Sequence, residues 1–288
     1  MKRSVIRELV QIYFPRLAIF YRTIRDRRYL KIEPIITRMG YKFVGNAAMQ
    51  NGYFEIEETK LVQKILPHVD IVLNVGANVG YYCCMALSSG KHVIAFEPMP
   101  DNLHCLLKNI KSNNWDNMAE VFPLALSNKV GIVEIFGGGT GASLIKGWSG
   151  IPEQHIALVP CSTLDTVIGS RLDGKKCFVL VDIEGAEKFF LEGSKSFLVM
   201  EPKPIWIVEI SITEHQPKGV AINPNLLSTF ELFWDKGYES WTANDEFREV
   251  CRDEILSAID SGIDTLKTHN FIFIEKGMAT QLGQAAPI

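Results

Sequence analysis

A glycine-rich turn followed by a distant acidic residue gives the chain its clearest chemical signal. The segment from Asn74 to Gly80 reads NVGANVG and follows a short apolar run, and Glu97 lies 17 residues beyond Gly80. Glycines let a ligand approach the backbone closely, and a helix that begins after such a turn offers free N–H groups. An acid at the end of the next strand can accept hydrogen bonds from ribose hydroxyls. The pattern predicts a nucleoside-cofactor site in which Gly76, Asn78 and Gly80 frame the ligand.

A second polar cluster, DIEGAE from Asp182 to Glu187, directly follows the apolar run CFVLV. If that run is a strand, Asp182 and Glu184 can both project toward the cleft at the carboxyl ends of the strands. One of them could orient an acceptor hydroxyl or act as a general base. Alternatively, Glu184 and Glu187 only favour the positive end of the following helix. His215 is a further candidate base, because it follows a predicted strand that ends at the same cleft.

Two classes of cofactor fit this pattern, because dinucleotide dehydrogenases and S-adenosylmethionine enzymes both place an acid where Glu97 lies. The bulky Tyr81 and Tyr82 follow Gly80, where a pyrophosphate would need close approach to the backbone. The cluster at Asp182 also lies where a transferred methyl group would be. These observations favour the methyl donor, and a NAD-dependent oxidoreductase is the alternative. No metal site is predicted, since the six cysteines show neither a CxxC pair nor metal-ligand spacing.

Short apolar segments that alternate with helical patterns must position these residues. Strands are predicted over residues 70–75, 92–96, 119–122, 130–136, 177–181, 205–210, 238–241 and 271–274. Helices are predicted over residues 57–66, 81–89, 100–111, 186–191 and 225–234. A glycine-rich loop covers residues 137–150, and its Trp148 could stack on the face of a sugar. The alternation predicts an α/β fold with a doubly wound, mostly parallel sheet that helices cover on both faces.

Charge is distributed unevenly along the chain. Residues 1–31 carry a net charge of +7, whereas the remaining residues carry −10. Apolar residues lie between the basic ones in rough helical register, which predicts a basic amphipathic helical arm over residues 1–52 and a single domain over residues 53–288. Such an arm could lie on an anionic membrane surface or dock a partner. The alternative is an ordinary helix that packs on the domain and keeps its basic face in solvent.

Composition limits the partners that the protein is expected to bind and the cellular compartment in which we expect it. The body is acidic, so it is a poor match for nucleic acid. No run reaches the roughly 18 apolar residues of a membrane-spanning helix. The N-terminus lacks the pattern of a secretory signal, and the cysteines suit a reducing compartment. We therefore expect a cytoplasmic protein, peripheral to the inner face of the membrane if the arm binds lipid. The oligomeric state is not predicted.

The motifs together resemble those of the FkbM family of S-adenosylmethionine-dependent methyltransferases. The similar segments are NVGANVG (74–80), AFEP (95–98), ALSNK with the following Gly131 (125–131), STLD (162–165), VDIEGAE (181–187) and PIWIVE (204–209). They occur in order and with suitable spacing from about Tyr53 to Ile274. The resemblance leaves out the basic arm.

The resemblance implies a seven-stranded, Rossmann-like class I methyltransferase fold, with S-adenosylmethionine as the cofactor. It implies methyl transfer to a hydroxyl of a sugar in a polysaccharide or glycolipid, or of a small natural product. Asp182 and Glu184 would face the methyl group and the acceptor. By position, the methionine end of the cofactor would contact Gly76, Asn78 and Gly80. Glu97 would bind its ribose, and Ser127 and Asn128 would lie near its adenine.

Two positions depart from the family pattern. The family usually begins its first motif with Asp, where this chain has Asn74, which keeps an acceptor oxygen but lacks the charge that would attract the cofactor's ammonium group. The family often has Lys two residues before Asp182, where this chain has Leu180. These departures leave a third hypothesis open, namely a scaffold that binds the cofactor but has lost catalysis.

Overall fold

The structure, a computed structural model, describes residues 31–151 and 156–283 of the chain. The strands are β1 (Ile35–Ile36), β2 (Lys42–Phe43), β3 (Ile71–Val75), β4 (His92–Phe96), β5 (Ala119–Phe122), β6 (Ala125–Leu126), β7 (Gly131–Phe136), β8 (Ile156–Ser162), β9 (Cys177–Val181), β10 (Ile205–Glu209), β11 (Tyr238–Thr242) and β12 (Asn270–Glu275). The helices are α1 (Ala47–Asn51), α2 (Ile56–Ile65), α3 (Tyr81–Ser88), α4 (Pro100–Ser112), α5 (Leu164–Ile168), α6 (Glu187–Glu192), α7 (Lys195–Leu198), α8 (Leu226–Trp234), α9 (Arg252–Ser261) and α10 (Ala279–Gly283).

Seven strands form the main sheet in the order β11-β12-β10-β9-β3-β4-β5. The five strands from β10 to β5 are parallel, whereas β12 is antiparallel to both β10 and β11. The predicted doubly wound, mostly parallel sheet is therefore confirmed. The chain builds one half of the sheet from β3 to β5 and then crosses to β9 on the other side of β3. This reversal creates a topological switch point between β3 and β9, and open α/β sheets bind ligands at such a point.

The central strands are apolar throughout because helices cover both faces of the sheet. All five residues of β9 and four of the five residues of β3 are buried. On one face α3 packs against β3 and β4, and on the other face Phe230 and Phe233 of α8 pack around Trp206 and Phe273. Burial of each such side chain contributes about 1.5–3 kcal/mol. The core therefore holds the loops at the carboxyl ends of β3 and β9 on a rigid base.

A second, smaller sheet has three strands in the order β6-β8-β7. Its inner face packs Val133, Ile135 and Val159 into a separate small core. Ile135 and Leu126 also reach the wall of a cavity at the carboxyl ends of the main strands. The small sheet therefore forms one side of the site.

Residues 41–49, which fall in the predicted arm, contribute to the main core. Phe43, Val44 and Met49 are buried in the same cluster as α2 and α3. The amide of Asn109 on α4 accepts from the Val44 N–H and donates to the Val44 carbonyl oxygen, at 2.7 and 3.0 Å. Most of the predicted helical arm lies in residues 1–30, outside the described residues, so the boundary at residue 52 stays a prediction. Of the helices in the described part of the chain, none has the length and hydropathy of a membrane-spanning segment.

Candidate active site

The carboxyl ends of β3 and β9 meet at a turn that leaves no space for side chains. Gly76 has a φ of 82°, and a Cβ there would lie 1.8 Å from the carbonyl oxygen of Asp182. The Asp182 N–H donates to the carbonyl oxygen of Val75 at 3.0 Å, which holds the two segments together. Gly80 has a φ of 86°, and a Cβ there would lie 2.4 Å from the side chain of Leu106. Contact with the Asp182 backbone therefore requires Gly76, and the positive φ favours glycine at position 80. The pairing brings the two predicted polar clusters together.

Asn78 connects this turn to Glu97. Asn78 has a φ of 52°, and its N–H donates to Glu97 Oε2 at 2.7 Å. Glu97 Oε1 accepts from the N–H of Met99 at 2.8 Å and from the side chain of Asn102 at 3.3 Å. Glu97 is only 3% exposed, and burial raises its pKa to about 7, even though these three hydrogen bonds act in the opposite direction. The turn and the acid thus form one rigid unit.

A cleft of about 590 Å³, here named cavity A, opens beside Glu97. The Gly76 turn and Asp182 form part of its wall. The apolar part of the wall comprises Val75, Phe96, Met99, Leu124, Leu126, Ile135 and Leu144. Apolar walls beside a buried carboxylate suit a purine nucleoside, whose base packs on the apolar side chains while its ribose hydroxyls donate to the carboxylate.

A second cleft of about 550 Å³, cavity B, lies on the other side of the turn and shares Gly76, Asn78 and Asp182 with cavity A. Its carboxyl groups come from Glu55, Glu58, Asp182 and Glu209. Among the residues that the structure describes, no Lys, Arg or His lines this cavity. Cavity B is therefore strongly acidic, and it favours ligands that carry positive charge or donate hydrogen bonds.

Asn74 presents an unsatisfied acceptor to cavity B. The residue is 2% exposed, and its amide nitrogen donates to the Cys83 Sγ at 3.3 Å. Its Oδ1 has no hydrogen-bond partner within residues 31–151 and 156–283. A buried oxygen without a donor is costly, so this position suits a ligand that donates a hydrogen bond. Leu180, where the family often has Lys, is buried and lines the same cavity.

Asp182 and Glu209 lie at the ends of adjacent strands, β9 and β10. Burial and the neighbouring acids raise the pKa of both carboxyl groups well above the usual range. The charge of Asp182 is one of the causes of the raised pKa of Glu209, and both residues line cavity B. A cation bound in cavity B would offset these effects, because an opposite charge favours the ionised carboxylate.

Glu184 is held by the glycine-rich loop over residues 137–150. The Trp148 indole Nε1 donates to Glu184 Oε2 at 2.8 Å, and the Ser143 hydroxyl donates to the Glu184 carbonyl oxygen at 2.5 Å. Trp148 also packs on Gly185, where a Cβ would lie 2.5 Å from the indole ring. An isolated Trp more often packs than stacks on a sugar, and Trp148, which is only 3% exposed, has this packing role. Trp148 therefore anchors the glycine-rich loop on the turn that follows β9.

His215 lies outside both cavities. It is exposed, its Nδ1 is 3.1 Å from the Ser149 hydroxyl, and its carbonyl oxygen accepts from the Ser149 N–H at 2.6 Å. Its ring centroid is 6.2 Å from that of Trp148. His215 therefore contacts the glycine-rich loop and lines neither cavity, and its role as a base stays a prediction.

Ser127 and Asn128 also lie outside cavity A. Ser127 is buried, and its N–H donates to the carbonyl oxygen of Ser162. The Asn128 side chain donates to Glu192 Oε2 at 2.7 Å. The preceding residues, Leu124 to Leu126, line cavity A instead. The structure thus brings together Asn74, Gly76, Asn78, Glu97, Asp182 and Glu184, whereas Gly80 supports the turn through packing.

Sequence reasoning did not assign a function to Glu55 or to Tyr82. Both line cavity B, and the Tyr82 hydroxyl donates to Glu55 Oε2 at 2.6 Å. Tyr82 carries a sequence signal, because it lies in the first turn of α3 immediately after the glycine turn. Glu55 carries none, since it lies 19 residues before Asn74 and outside every motif.

The residues present fit S-adenosylmethionine. Cavity A offers apolar walls for adenine and the Glu97 carboxylate for the ribose. The unpartnered Asn74 oxygen and the acids of cavity B suit the ammonium and sulfonium groups, which are both positively charged. The turn at Gly76 and Asn78 lies between the two cavities, where the methionine end would pass.

Comparison with known proteins gives a family match and several fold-level likenesses. The family model "Methyltransferase FkbM domain" matches residues 74–240. The O-methyltransferase from Bacillus cereus in complex with SAH is 12% identical, with 76% of this chain and 80% of that chain covered and a TM-score of 0.37. A precorrin-6y C5,15-methyltransferase from Geobacter metallireducens is also 12% identical, with 69% and 77% covered and a TM-score of 0.37. No curated protein matches the chain significantly in sequence.

The family match excludes the NAD-dependent oxidoreductase. It spans more than half of the chain, and it includes the glycine turn, Glu97 and Asp182. The seven-stranded sheet has the architecture of a class I methyltransferase. The chain therefore belongs to the FkbM family of S-adenosylmethionine-dependent methyltransferases.

Proposed function

We propose that this protein transfers a methyl group to a hydroxyl oxygen of an uncharged or cationic acceptor. The acceptor class is a sugar of a polysaccharide or glycolipid, or a hydroxylated natural product. The observation that carries this proposal is cavity B, which adjoins cavity A and is lined by four carboxyl groups and no basic residue among those described. Carboxylates accept hydrogen bonds from sugar hydroxyls, and they repel phosphate or carboxylate groups.

The cofactor is proposed to lie across the turn. Glu97 would accept from the ribose, while the apolar wall that includes Leu124 and Leu126 would pack on the adenine. The methionine end would follow Gly76 toward the unpartnered oxygen of Asn74. S-adenosylmethionine supplies a methyl group on a positively charged sulfur, which makes that methyl group electrophilic. The protein's own part is to align an acceptor oxygen, exclude water and receive a proton.

Asp182 is proposed to orient the acceptor, and Glu184, which lines cavity A but not cavity B, is proposed to fix the turn that carries Asp182. Asp182 lies on the border of the two cavities, so its carboxyl group can accept from a hydroxyl next to the methyl group. Glu184 is fixed by the Trp148 indole, which limits the positions its carboxylate can adopt. A fixed Glu184 holds the turn after β9, and with it Asp182, without the entropy loss of ordering a mobile side chain.

An acceptor screen tests this function. The purified protein is incubated with S-adenosylmethionine and with methyl glucoside, methyl mannoside, methyl rhamnoside, glucosamine, glucose 6-phosphate or glucuronic acid. Mass spectrometry then measures methylated sugar and S-adenosylhomocysteine. We expect turnover of neutral or amino sugars and none of the phosphate or uronic acid. Cofactor binding without turnover of any hydroxyl acceptor would instead support the non-catalytic scaffold.

The basic segment over residues 1–31 is proposed to bring the protein to an anionic membrane surface, which suits a lipid-linked sugar acceptor in the cytoplasm. Ile35 and Ile36, which follow the segment directly, are 51% and 72% exposed. Sedimentation with vesicles of phosphatidylglycerol, and with neutral phosphatidylcholine vesicles as the control, tests this contact. Binding to the anionic vesicles that is lost when residues 1–30 are deleted supports it. Unfolding of the deleted protein would instead support a helix packed on the domain.

A further inference from the structure

Glu55 has a backbone conformation that its residue type does not favour. It has a φ of 41° and a ψ of 63°, in the left-handed region, at the position that precedes the first residue of α2. Residues at this position commonly use their side chain to accept from an N–H of the first helical turn, but Glu55 makes no such bond. Its carboxylate accepts instead from the Tyr82 hydroxyl at 2.6 Å. The local strain therefore serves to direct the carboxylate toward α3 and cavity B.

The surroundings of the Glu55 carboxyl group are acidic and phenolic. Glu58 faces it from the same helix, and Tyr81 and Tyr82 face it from α3. The other titratable groups of the cavity are Asp182 and Glu209, at the ends of β9 and β10. Although the residue as a whole is exposed at the mouth of the cavity, protein atoms surround its carboxyl group, and this burial raises its pKa to about 7. The Tyr82 hydrogen bond lowers the pKa, and the charge of Glu58 raises it.

We propose that Glu55 is the general base that removes the proton from the acceptor hydroxyl, and that Tyr82 positions its carboxylate. This inference rests on the methyl transfer to oxygen proposed above. In the step, a lone pair of the acceptor oxygen forms the new O–CH3 bond while the S–CH3 bond breaks and sulfur keeps that electron pair. The hydroxyl proton passes to Glu55, which becomes a neutral carboxylic acid and later releases the proton to water at the mouth of the cavity.

The other acids of the site are less suited to this role. A general base must be ionised at the working pH, and it must return its proton to solvent after each turnover. Asp182 and Glu209 lie deeper, and burial together with their acidic neighbours raises their pKa values further. Glu184 accepts from the Trp148 indole, and it lines cavity A but not cavity B. Glu55 combines access to solvent with a place in the acidic cavity.

The first test compares Glu55→Gln with Glu57→Gln. Glu57 is exposed two residues further along, and it lines neither cavity, so it is a matched control. With the best methyl glycoside of the acceptor screen, kcat of E55Q is expected to fall by roughly 10²- to 10⁴-fold. Its affinity for S-adenosylhomocysteine, measured by calorimetry, is expected to stay within threefold of wild type. Retention of more than a third of the wild-type kcat by E55Q would overturn the proposal.

The second test measures the pKa of the Glu55 carboxyl group and needs no methyl acceptor. Protein labelled with ¹³C at the glutamate carboxyl is titrated by NMR without cofactor, and the resonance missing in E55Q identifies Glu55. We expect a midpoint near pH 7 and a higher midpoint in Tyr82→Phe, because the hydrogen bond that stabilises the carboxylate is lost. The acidic limb of the kcat–pH profile of Y82F is expected to move upward with it. An equal midpoint in wild type and Y82F would overturn the role of Tyr82 even if wild type turns over no acceptor, whereas the absence of turnover alone would contradict the proposed function.

Discussion

Replacement of Glu97 by Gln is expected to weaken cofactor binding and leave the fold intact. A carboxylate has roughly four acceptor positions. Three of them are taken by the N–H groups of Asn78 and Met99 and by the side chain of Asn102. One position therefore remains for the ribose. A Gln side chain has a single oxygen, so its NH2 group would face the Asn78 or the Met99 N–H, donor against donor.

The magnitude follows from the one hydrogen bond that the ribose can make. A hydrogen bond to a charged group contributes about 1.5–3 kcal/mol, which corresponds to roughly 10- to 150-fold weaker binding. Titration calorimetry with S-adenosylhomocysteine measures this loss directly. Glu187→Gln is the matched control, because Glu187 is also 3% exposed, also has a pKa raised to about 7, and lines neither cavity. An E97Q affinity within threefold of wild type would refute the placement of the ribose.

Three further predictions follow from the same geometry. Gly76→Ala is expected to destabilise the protein by at least about 2 kcal/mol in urea unfolding, because its Cβ would collide with the Asp182 carbonyl oxygen; an unchanged midpoint would contradict this. Asp182→Asn is expected to bind S-adenosylhomocysteine within threefold of wild type but to lose at least tenfold in kcat, and equal losses in both would place Asp182 in cofactor binding instead. Between about pH 4.5 and 7 the folded protein keeps protons on Glu97 and Glu187 that the unfolded chain has released. The free energy of unfolding of the cofactor-free protein therefore falls as the pH rises through this window, by about 3 kcal/mol per group, and a rise across it would contradict the burial of these two acids.

The parallel part of the sheet was predictable because its strands carry a strong local signal. The runs at 71–75, 177–181 and 205–209 are short, apolar and followed by polar turns, and each forms a strand of the main sheet. Strand Ile156–Ser162 was missed, since it contains Pro160, which disfavours a strand assignment. Its partner in the small sheet, Gly131–Phe136, was predicted within one residue. Helix Arg252–Ser261 was also missed, although Ile255, Ala258 and Ile259 lie at helical spacing.

The site was predictable only where function coincides with a motif. Asn74, Glu97 and Asp182 follow apolar strands, and parallel strands bring their carboxyl ends to one edge of the sheet. The sequence does not show why position 76 needs a glycine, because its close contact with the Asp182 carbonyl oxygen depends on the pairing of β3 with β9. Glu55 could not be found, because it reaches the cavity through a left-handed backbone conformation and a tyrosine 27 residues away.

Cavity B is acidic partly because one residue of its wall is apolar at a position where the family often has a positive charge. Leu180 lies where the family often has Lys, and it is 6% exposed on the wall of this cavity. A lysine there would lie among the carboxyl groups of Asp182 and Glu209 and would lower their pKa values. With Leu180, the acids of the cavity have no cationic side chain beside them in the described lining. The proposed preference for a neutral or cationic acceptor therefore depends in part on Leu180.

The most direct test of the account is a crystal structure of the protein with S-adenosylhomocysteine. The account predicts that the adenosine fills cavity A, with a ribose hydroxyl within hydrogen-bond distance of Glu97 and the ammonium group at Asn74 Oδ1. It also predicts that the sulfur lies beside Asp182 and faces the open part of cavity B. A ribose bound away from Glu97, or a sulfur that faces away from cavity B, would contradict it.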